Sequence, residues 1–309
     1  MVWIIEVINM TILGLPEEEY IMSGNASCPG CGAALALRHV LKALGKRTVL
    51  VIPACCTSVI QGLYPRSGIG VPVLNMAFEA TGAAASGVVA ALKAKGKDDI
   101  TVVGWAGDGG TADIGIQALS GAAERKTDFI YICYDNEAYM NTGIQRSGAT
   151  PYGALTTTTP VLGKKEHKKD MPMIMAAHKI PYVATATSGY PKDLYEKVKR
   201  AKELKGEGTK YLHILSPCPP GWRYDSKLTV KISKLAVETG LWILYEIDRG
   251  KFKLSGPSKR LLDPSKRKPV EEYLKLQGRF RGLSDEDIRE IQRWVDENWK
   301  NIEKMMETE

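Results

Sequence analysis

Asp108 stands inside the run Gly107-Asp108-Gly109-Gly110, and Asn136 follows one helix and one strand later in Asp135-Asn136-Glu137-Ala138. These residue types can hold a diphosphate through a divalent cation. ITVVGWA (100–106) is an apolar, β-rich run, the glycines break it, and a helical pattern resumes around Ile114–Ala123. Glycines let backbone approach an anion, and a helix start offers free N–H groups and a favourable dipole to phosphate. A bare carboxylate would repel that phosphate. A Mg²⁺ between them removes the conflict, because it takes oxygen ligands from protein and diphosphate alike. DFIYICY (128–134) reads as the next strand, whose end brings Asn136 as a second oxygen ligand and the Ala138 carbonyl as a third.

Other nucleotide motifs compete for the same glycines. No G-x-x-x-x-G-K-[ST] occurs, which excludes a P-loop. Gly107, Gly109 and Ala112 fit the alanine form of the dinucleotide fingerprint. That reading ranks second, since Asp108 would then face a pyrophosphate with no metal to offset it. A GDG triplet alone is common in turns and would carry nothing without Asn136.

Sulfur is the second chemistry-bearing set. Cys28-Pro-Gly-Cys31 opens a helix whose face is Leu37, Val40, Leu41 and Leu44 and which Gly45 ends. In an intracellular chain this spacing suits a redox pair, half a zinc site or half an iron–sulfur site. No strand of the thioredoxin kind precedes it, which disfavours the first. RTVLVIPA (47–54) is a buried strand ending in Cys55-Cys56, and Cys218 follows the strand 210–217. Cys133, inside a strand, reads as core. Disulfides would need export, for which nothing speaks, so metal binding is the better reading. Zinc and iron–sulfur sites both use four cysteines, and spacing leaves them open. Ligands in open α/β sheets gather at the carboxyl ends of strands, so Cys56, Asp108, Asn136 and Cys218 should share one edge.

The spacing from GDG to Asn136 resembles the thiamine-diphosphate motif. The segment through YDNEAYMNTGIQRSGATPYG resembles the β subunit of the 2-oxoacid:ferredoxin oxidoreductases, and the likeness runs over roughly residues 24–250 and the tail KPVEEYLKLQGRF. The resemblance implies a diphosphate-binding α/β fold, a mostly parallel sheet covered by helices on both faces, with a C-terminal arm. It implies Asp108, Asn136 and the Ala138 carbonyl as magnesium ligands, and Gly107, Gly109, Gly110 and Thr142 around thiamine diphosphate. Asn141 would be the catalytic residue facing thiazolium and substrate. One [4Fe–4S] cluster would be held by Cys28, Cys31, Cys56 and Cys218. Ala54-Cys55 departs from the commoner family pattern, where glycine often precedes the third ligand, and Cys55 takes a packing role or one supporting the ligands from behind. The implied reaction oxidatively decarboxylates pyruvate, or a branched-chain acid such as 2-oxoisovalerate, to its acyl-CoA. Electrons would pass from thiamine diphosphate to the cluster and on to ferredoxin. The implied partners are an α subunit with the pyrimidine-binding domain and its activating glutamate, a γ subunit and a ferredoxin-like δ subunit. Rival readings are a non-redox thiamine decarboxylase, an electron-transfer module and a zinc-stabilised structural subunit.

The rest of the chain must position these groups. Its 309 residues, 44% hydrophobic, suffice for one large α/β domain with an appendage. The expected division is an N-terminal extension (1–23), a cofactor domain (24–222) and an arm for subunit contacts (223–309). Residues 77–95 read as a helix rich in small residues for close packing, and 182–187, Pro191–Leu204 and 210–217 as a strand–helix–strand unit. WILYEIDRGKFKL reads as a hairpin. Ser284 with Asp287 forms a capping-box start to a last helix with Ile288, Ile291, Val295 and Ile302 on one face. The loop from Thr142 through GKKEHKKD should cover the site. His167 is then a surface residue and His213 a packed or partner-facing one.

Net charge is +7, with bases concentrated at 249–281 and acids at 285–309. This is solvated surface, or a docking face for an acidic ferredoxin or coenzyme A phosphates. No nucleic-acid motif accompanies it. The apolar start MVWIIEVINMTILGL is interrupted by Glu6 and Asn9, lacks signal-peptide features, and falls short of the about 20 residues a membrane span needs. The expected location is the cytoplasm. The start reads as an interface strand, or as a coding start placed ahead of Met10 or Met22.

Overall fold

A computed structural model describes residues 12–307. Among them, eight strands form one sheet in the order β2-β1-β3-β4-β6-β5-β7-β8. The strands are β1 (Thr48–Pro53), β2 (Val73–Met76), β3 (Thr101–Gly107), β4 (Ile130–Asp135), β5 (Tyr182–Thr187), β6 (Lys210–Leu215), β7 (Tyr245–Asp248) and β8 (Lys251–Leu254). The six from β2 to β5 pair in parallel, whereas β7 joins β5 antiparallel and β8 returns beside β7.

The helices are α1 (Gly32–Leu44), α2 (Cys56–Gln61), α3 (Thr81–Ala94), α4 (Ile116–Glu124), α5 (Met171–Ala177), α6 (Pro191–Glu203), the single turn α7 (Pro219–Trp222) and α8 (Thr229–Glu238). Strand side chains alternate between faces. Leu50, Ile52, Val103, Trp105 and Ile132 pack with α1 and α6 on one face. Val51, Val102, Ala106, Tyr131 and Cys133 pack with α3, α4 and α5 on the other. Apolar runs without polar alternation therefore read correctly as strands buried on both sides.

The segment expected as an arm is continuous with this body. Its hairpin extends the main sheet, and its last helix, Asp285–Glu307, buries Ile291, Val295, Trp299 and Ile302 in a core with Trp222, Ile232, Leu244 and Phe252. The Ser284 hydroxyl accepts from Asp287 N–H at 3.1 Å, and Asp287 accepts from Ser284 N–H at 3.0 Å. Two details differ from expectation. The sequence reading missed β2, a short edge strand half exposed to solvent, and placed the start of α3 at residue 77, four residues early. Trp299 takes a central place on the buried stripe of the last helix.

Of the N-terminal extension, residues 1–11, including Met10 and most of the expected interface strand, lie outside the described residues. Its later part rests on α1. Lys42 Nζ donates to the carbonyls of Pro16 (2.6 Å) and Glu18 (3.0 Å), and Ile21 bridges to Ile69. Among the described residues no helix is long and apolar enough to cross a membrane.

Trp299 is 1% exposed, donates from Nε1 to Gly240 O at 3.1 Å and lies under the Arg267 guanidinium. Trp299→Ala should cost about 3–5 kcal/mol, read as a lower urea midpoint, with earlier proteolytic release of the last helix.

Candidate functional site

Parallel pairing aligns the carboxyl ends of β1, β3, β4 and β6. Gly107 lies opposite Tyr134, and Asp135 opposite Leu215. The glycine break after β3 takes the form of a wide turn. Gly109–Asp113 form a π-helical turn before α4, and Thr111 Oγ1 donates back to Gly107 O at 2.8 Å. A Cβ at Gly109 would stand 2.4 Å from the Tyr139 ring, so only glycine lets the turn and this ring close together.

Asp108 is fully buried and accepts from Ser147 Oγ at 2.5 Å. Burial, and then the charge of Asp135, push its carboxyl well above the usual carboxylate range. One end of the Asn136 amide faces Asp108 Oδ1 at 2.9 Å and the Ala138 carbonyl at 3.0 Å. With nitrogen at that end, the amide donates to both. With oxygen there, it stands from each of the other two oxygens at the roughly 3 Å that separates neighbouring octahedral ligands when Mg–O bonds are about 2.1 Å. The donor set fits a hard divalent cation.

The residues flanking Asn136 are anchored by buried charge. Lys168 Nζ lies 2.8 Å from Asp135 Oδ2 and 2.8 Å from Glu137 Oε1. His213 Nε2 meets Asp135 at 2.9 Å, and Arg279 Nη2 meets Glu137 at 2.6 Å. Burial alone would push Asp135 up, but Lys168 and His213 overrule it and hold the carboxyl far below the usual range. Burial likewise works against the Lys168 charge, and Asp135 and Glu137 together keep it protonated. Glu137 has a left-handed φ of 65°, and its carbonyl accepts from Thr150 Oγ1 at 2.7 Å.

Gly107, Gly109, Gly110, Asn136, Ala138, Asn141 and Thr142 line one cavity, with Asp108 behind its wall. Phe78, Tyr134 and Tyr139 add an aromatic lining that sequence reasoning missed. Cys28, Cys31, Cys56 and Cys218 line a second cavity. Cys56, Asn136 and Asn141 belong to both. Cys55 lines only the first, and Cys133 is buried in β4.

The two sulfur loops meet because Gly32 N–H donates to Pro217 O at 3.0 Å, an approach that a Cβ at Gly32, 2.6 Å from the same oxygen, would block. No three His, Cys, Asp or Glu side chains among the described residues gather tightly enough for a single metal ion. Four thiols around one cavity are a donor set that zinc or an iron–sulfur cluster could use. Burial pushes the Cys56 and Cys218 thiols up to about 12, so an adjoining metal charge would be needed to ionise them.

The expected covering loop is tied down by Lys164, whose Nζ donates to Thr150 O at 2.7 Å. His167 is pinned between the rings of Tyr152 and Trp294, with Nε2 3.1 Å from Glu290, away from both cavities. The anchoring roles of Lys168, Arg279 and His213 escaped the sequence reading. The available signal was compositional: two acids flanking Asn136 on a strand end require buried cations from elsewhere.

Residues 55–214 match the family model for the C-terminal TPP-binding domain of thiamine pyrophosphate enzymes. The chain is 51% identical over 303 residues to the ketoisovalerate oxidoreductase subunit VorB of Pyrococcus furiosus, covering 95% of each protein. It is 54% identical over 286 residues to the pyruvate synthase subunit PorB of Methanothermobacter thermautotrophicus, covering 91% of this chain and 96% of that one. Among solved structures, a 2-oxoglutarate:ferredoxin oxidoreductase from Magnetococcus marinus shares the fold, with a TM-score of 0.56, 24% identity, and coverage of 72% of this chain and 82% of that one.

Among the described residues, Lys168 is the one cation shared by both flanking carboxylates. Lys168→Met leaves buried charge unpaired and should cost about 3–5 kcal/mol, measured by urea denaturation. An unchanged midpoint would show that His213 and Arg279 suffice.

Proposed function

The chain belongs to the β subunits of the 2-oxoacid:ferredoxin oxidoreductases, thiamine-diphosphate-dependent enzymes of several subunits, and from that premise we propose how its residues divide the work. Asp108, Asn136 and the Ala138 carbonyl hold Mg²⁺, and Gly107, Gly109, Gly110 and Thr142 shape the diphosphate cavity. Cys28, Cys31, Cys56 and Cys218 hold a [4Fe–4S] cluster. When bound, thiamine diphosphate supplies the decarboxylation chemistry and the cluster a one-electron outlet.

The chain's own part is placement. Asp108 offsets cation charge inside a dry turn, where a fixed carboxylate acts more strongly than in water. Asn141, on the wall common to both cavities, faces the reacting substrate. Cys56 on the same wall puts a cluster ligand beside the cofactor. That shared wall is the observation carrying the proposal.

The substrate under this reading is pyruvate, converted with coenzyme A to acetyl-CoA and CO₂. The identity to VorB, close to that with PorB, favours 2-oxoisovalerate as the second reading. An α subunit completes the thiamine site with its pyrimidine-binding domain, and γ and ferredoxin-like δ subunits join it. Ferredoxin accepts the electrons in the cytoplasm. Residues 24–222 form the cofactor domain, and 223–309 add subunit contacts.

One preparation of the assembled enzyme tests the division. Asp108→Ala should weaken thiamine diphosphate binding by more than the roughly 10–100-fold that loss of an outer-shell partner costs, with iron content unchanged. Cys56→Ala should lose cluster iron, whereas Cys55→Ala retains it. Iron retained in Cys56→Ala and lost in Cys55→Ala would reverse the ligand assignment. A joint loss of thiamine and iron in Asp108→Ala would contradict separate sites.

A further inference from the structure

Trp222 is the last residue of α7, the single turn that begins immediately after Cys218, and its backbone N–H donates to the Cys218 carbonyl at 2.8 Å. Its side chain is fully buried and runs from the sulfur loop toward the end of β4. The indole Nε1–H donates to the carbonyl of Asn136 at 2.7 Å. The Arg279 guanidinium lies 3.7 Å over the indole ring, itself buried, and reaches Glu137 Oε2 at 2.6 Å. Gln277 accepts from Arg279 Nε at 2.9 Å and fixes the plane of the guanidinium.

Asn136 and Glu137 are thus both held from Trp222, the first by a direct hydrogen bond and the second through the stacked arginine. The geometry matters because the same Asn136 turns its amide toward Asp108 and Ala138. A tilt of the Asn136–Glu137 peptide would swing that amide out of the oxygen cage. Glu137, in a left-handed conformation that glutamate does not favour, needs such a grip.

We infer that Trp222 is a positioning residue that joins the two cofactor sites, so that ordering of Cys218 by the cluster strengthens binding of thiamine diphosphate with its cation at Asn136. This rests on the cofactor assignment proposed above. The link is reciprocal, since a free energy by which one site helps the other acts equally in both directions.

The test uses the anaerobically assembled enzyme, with thiamine diphosphate and Mg²⁺ titrated by calorimetry and iron measured on the same samples. Trp222→Phe keeps an aromatic ring beneath Arg279 and removes the N–H together with the pyrrole part of the indole. It should retain full iron yet bind thiamine diphosphate about 2- to 12-fold more weakly, the range for one hydrogen bond. Cys218→Ser should lose iron and also weaken thiamine diphosphate binding, and the double variant should be no weaker than Cys218→Ser alone. A merely structural role would lower thermal stability and deplete both cofactors together in Trp222→Phe. Wild-type affinity in Trp222→Phe, or effects that multiply in the double variant, would overturn the inference. Should Trp222→Phe fail to assemble, Arg279→Lys probes the same link: weaker thiamine diphosphate binding with full iron supports it, and unchanged affinity overturns it. Failure of the unaltered enzyme to bind thiamine diphosphate would instead overturn the cofactor assignment itself.

Discussion

Three carboxylates buried at adjoining strand ends set the terms for this structure. Asp108, Asp135 and Glu137 are each at most 5% exposed, and a charge removed from water must find an opposite charge or give itself up. Lys168 and Arg279 answer Asp135 and Glu137, with His213 as a further partner. Among the described residues Asp108 has no ion-pair partner, and burial and the charge of Asp135 push its carboxyl toward neutrality although Ser147 donates to it. The missing positive charge falls where Asn136 and the Ala138 carbonyl add two further oxygens. The proposed divalent cation would complete that balance, and its preference for oxygen ligands would carry over to a diphosphate.

The fold makes this arrangement possible by feeding several loops to one edge. Parallel order places β1, β3, β4 and β6 side by side, so Cys56, Asp108, Asn136 and Cys218 emerge together from four separate stretches of sequence. The CxxC joins them through α1, whose first residue must be glycine to approach Pro217. Two cavities with a common wall result. The wall of Cys56, Asn136 and Asn141 is common to both cavities, which is the proximity that electron transfer between the proposed cofactors would need.

Much of this was legible in sequence because it rests on local signals. Continuous apolar runs gave β1, β3, β4, β5 and β6, and Gly45 and the Ser284 capping box marked helix ends. The GDG-to-Asn spacing and the cysteine spacings singled out residues that the fold brings to two adjoining cavities. Other features depended on contacts between distant residues. No periodicity links Lys168 or Arg279 to Asp135 and Glu137, nor Trp222 to Asn136. The edge strand β2 carries too few buried residues to announce itself. The hairpin β7–β8 read correctly as a hairpin, but its attachment to β5 is a matter of tertiary pairing that local pattern does not encode.

On the proposed reading, a thiamine diphosphate site with its cation and an iron–sulfur site adjoin within one chain. The most direct measurement replaces Mg²⁺ with paramagnetic Mn²⁺ in the assembled enzyme with thiamine diphosphate and records electron paramagnetic resonance with the cluster oxidised and then reduced. Adjoining sites predict that the Mn²⁺ signal broadens or relaxes faster on reduction, and that the effect vanishes in Cys218→Ser. A Mn²⁺ signal indifferent to the oxidation state of a cluster shown to be present would contradict the account.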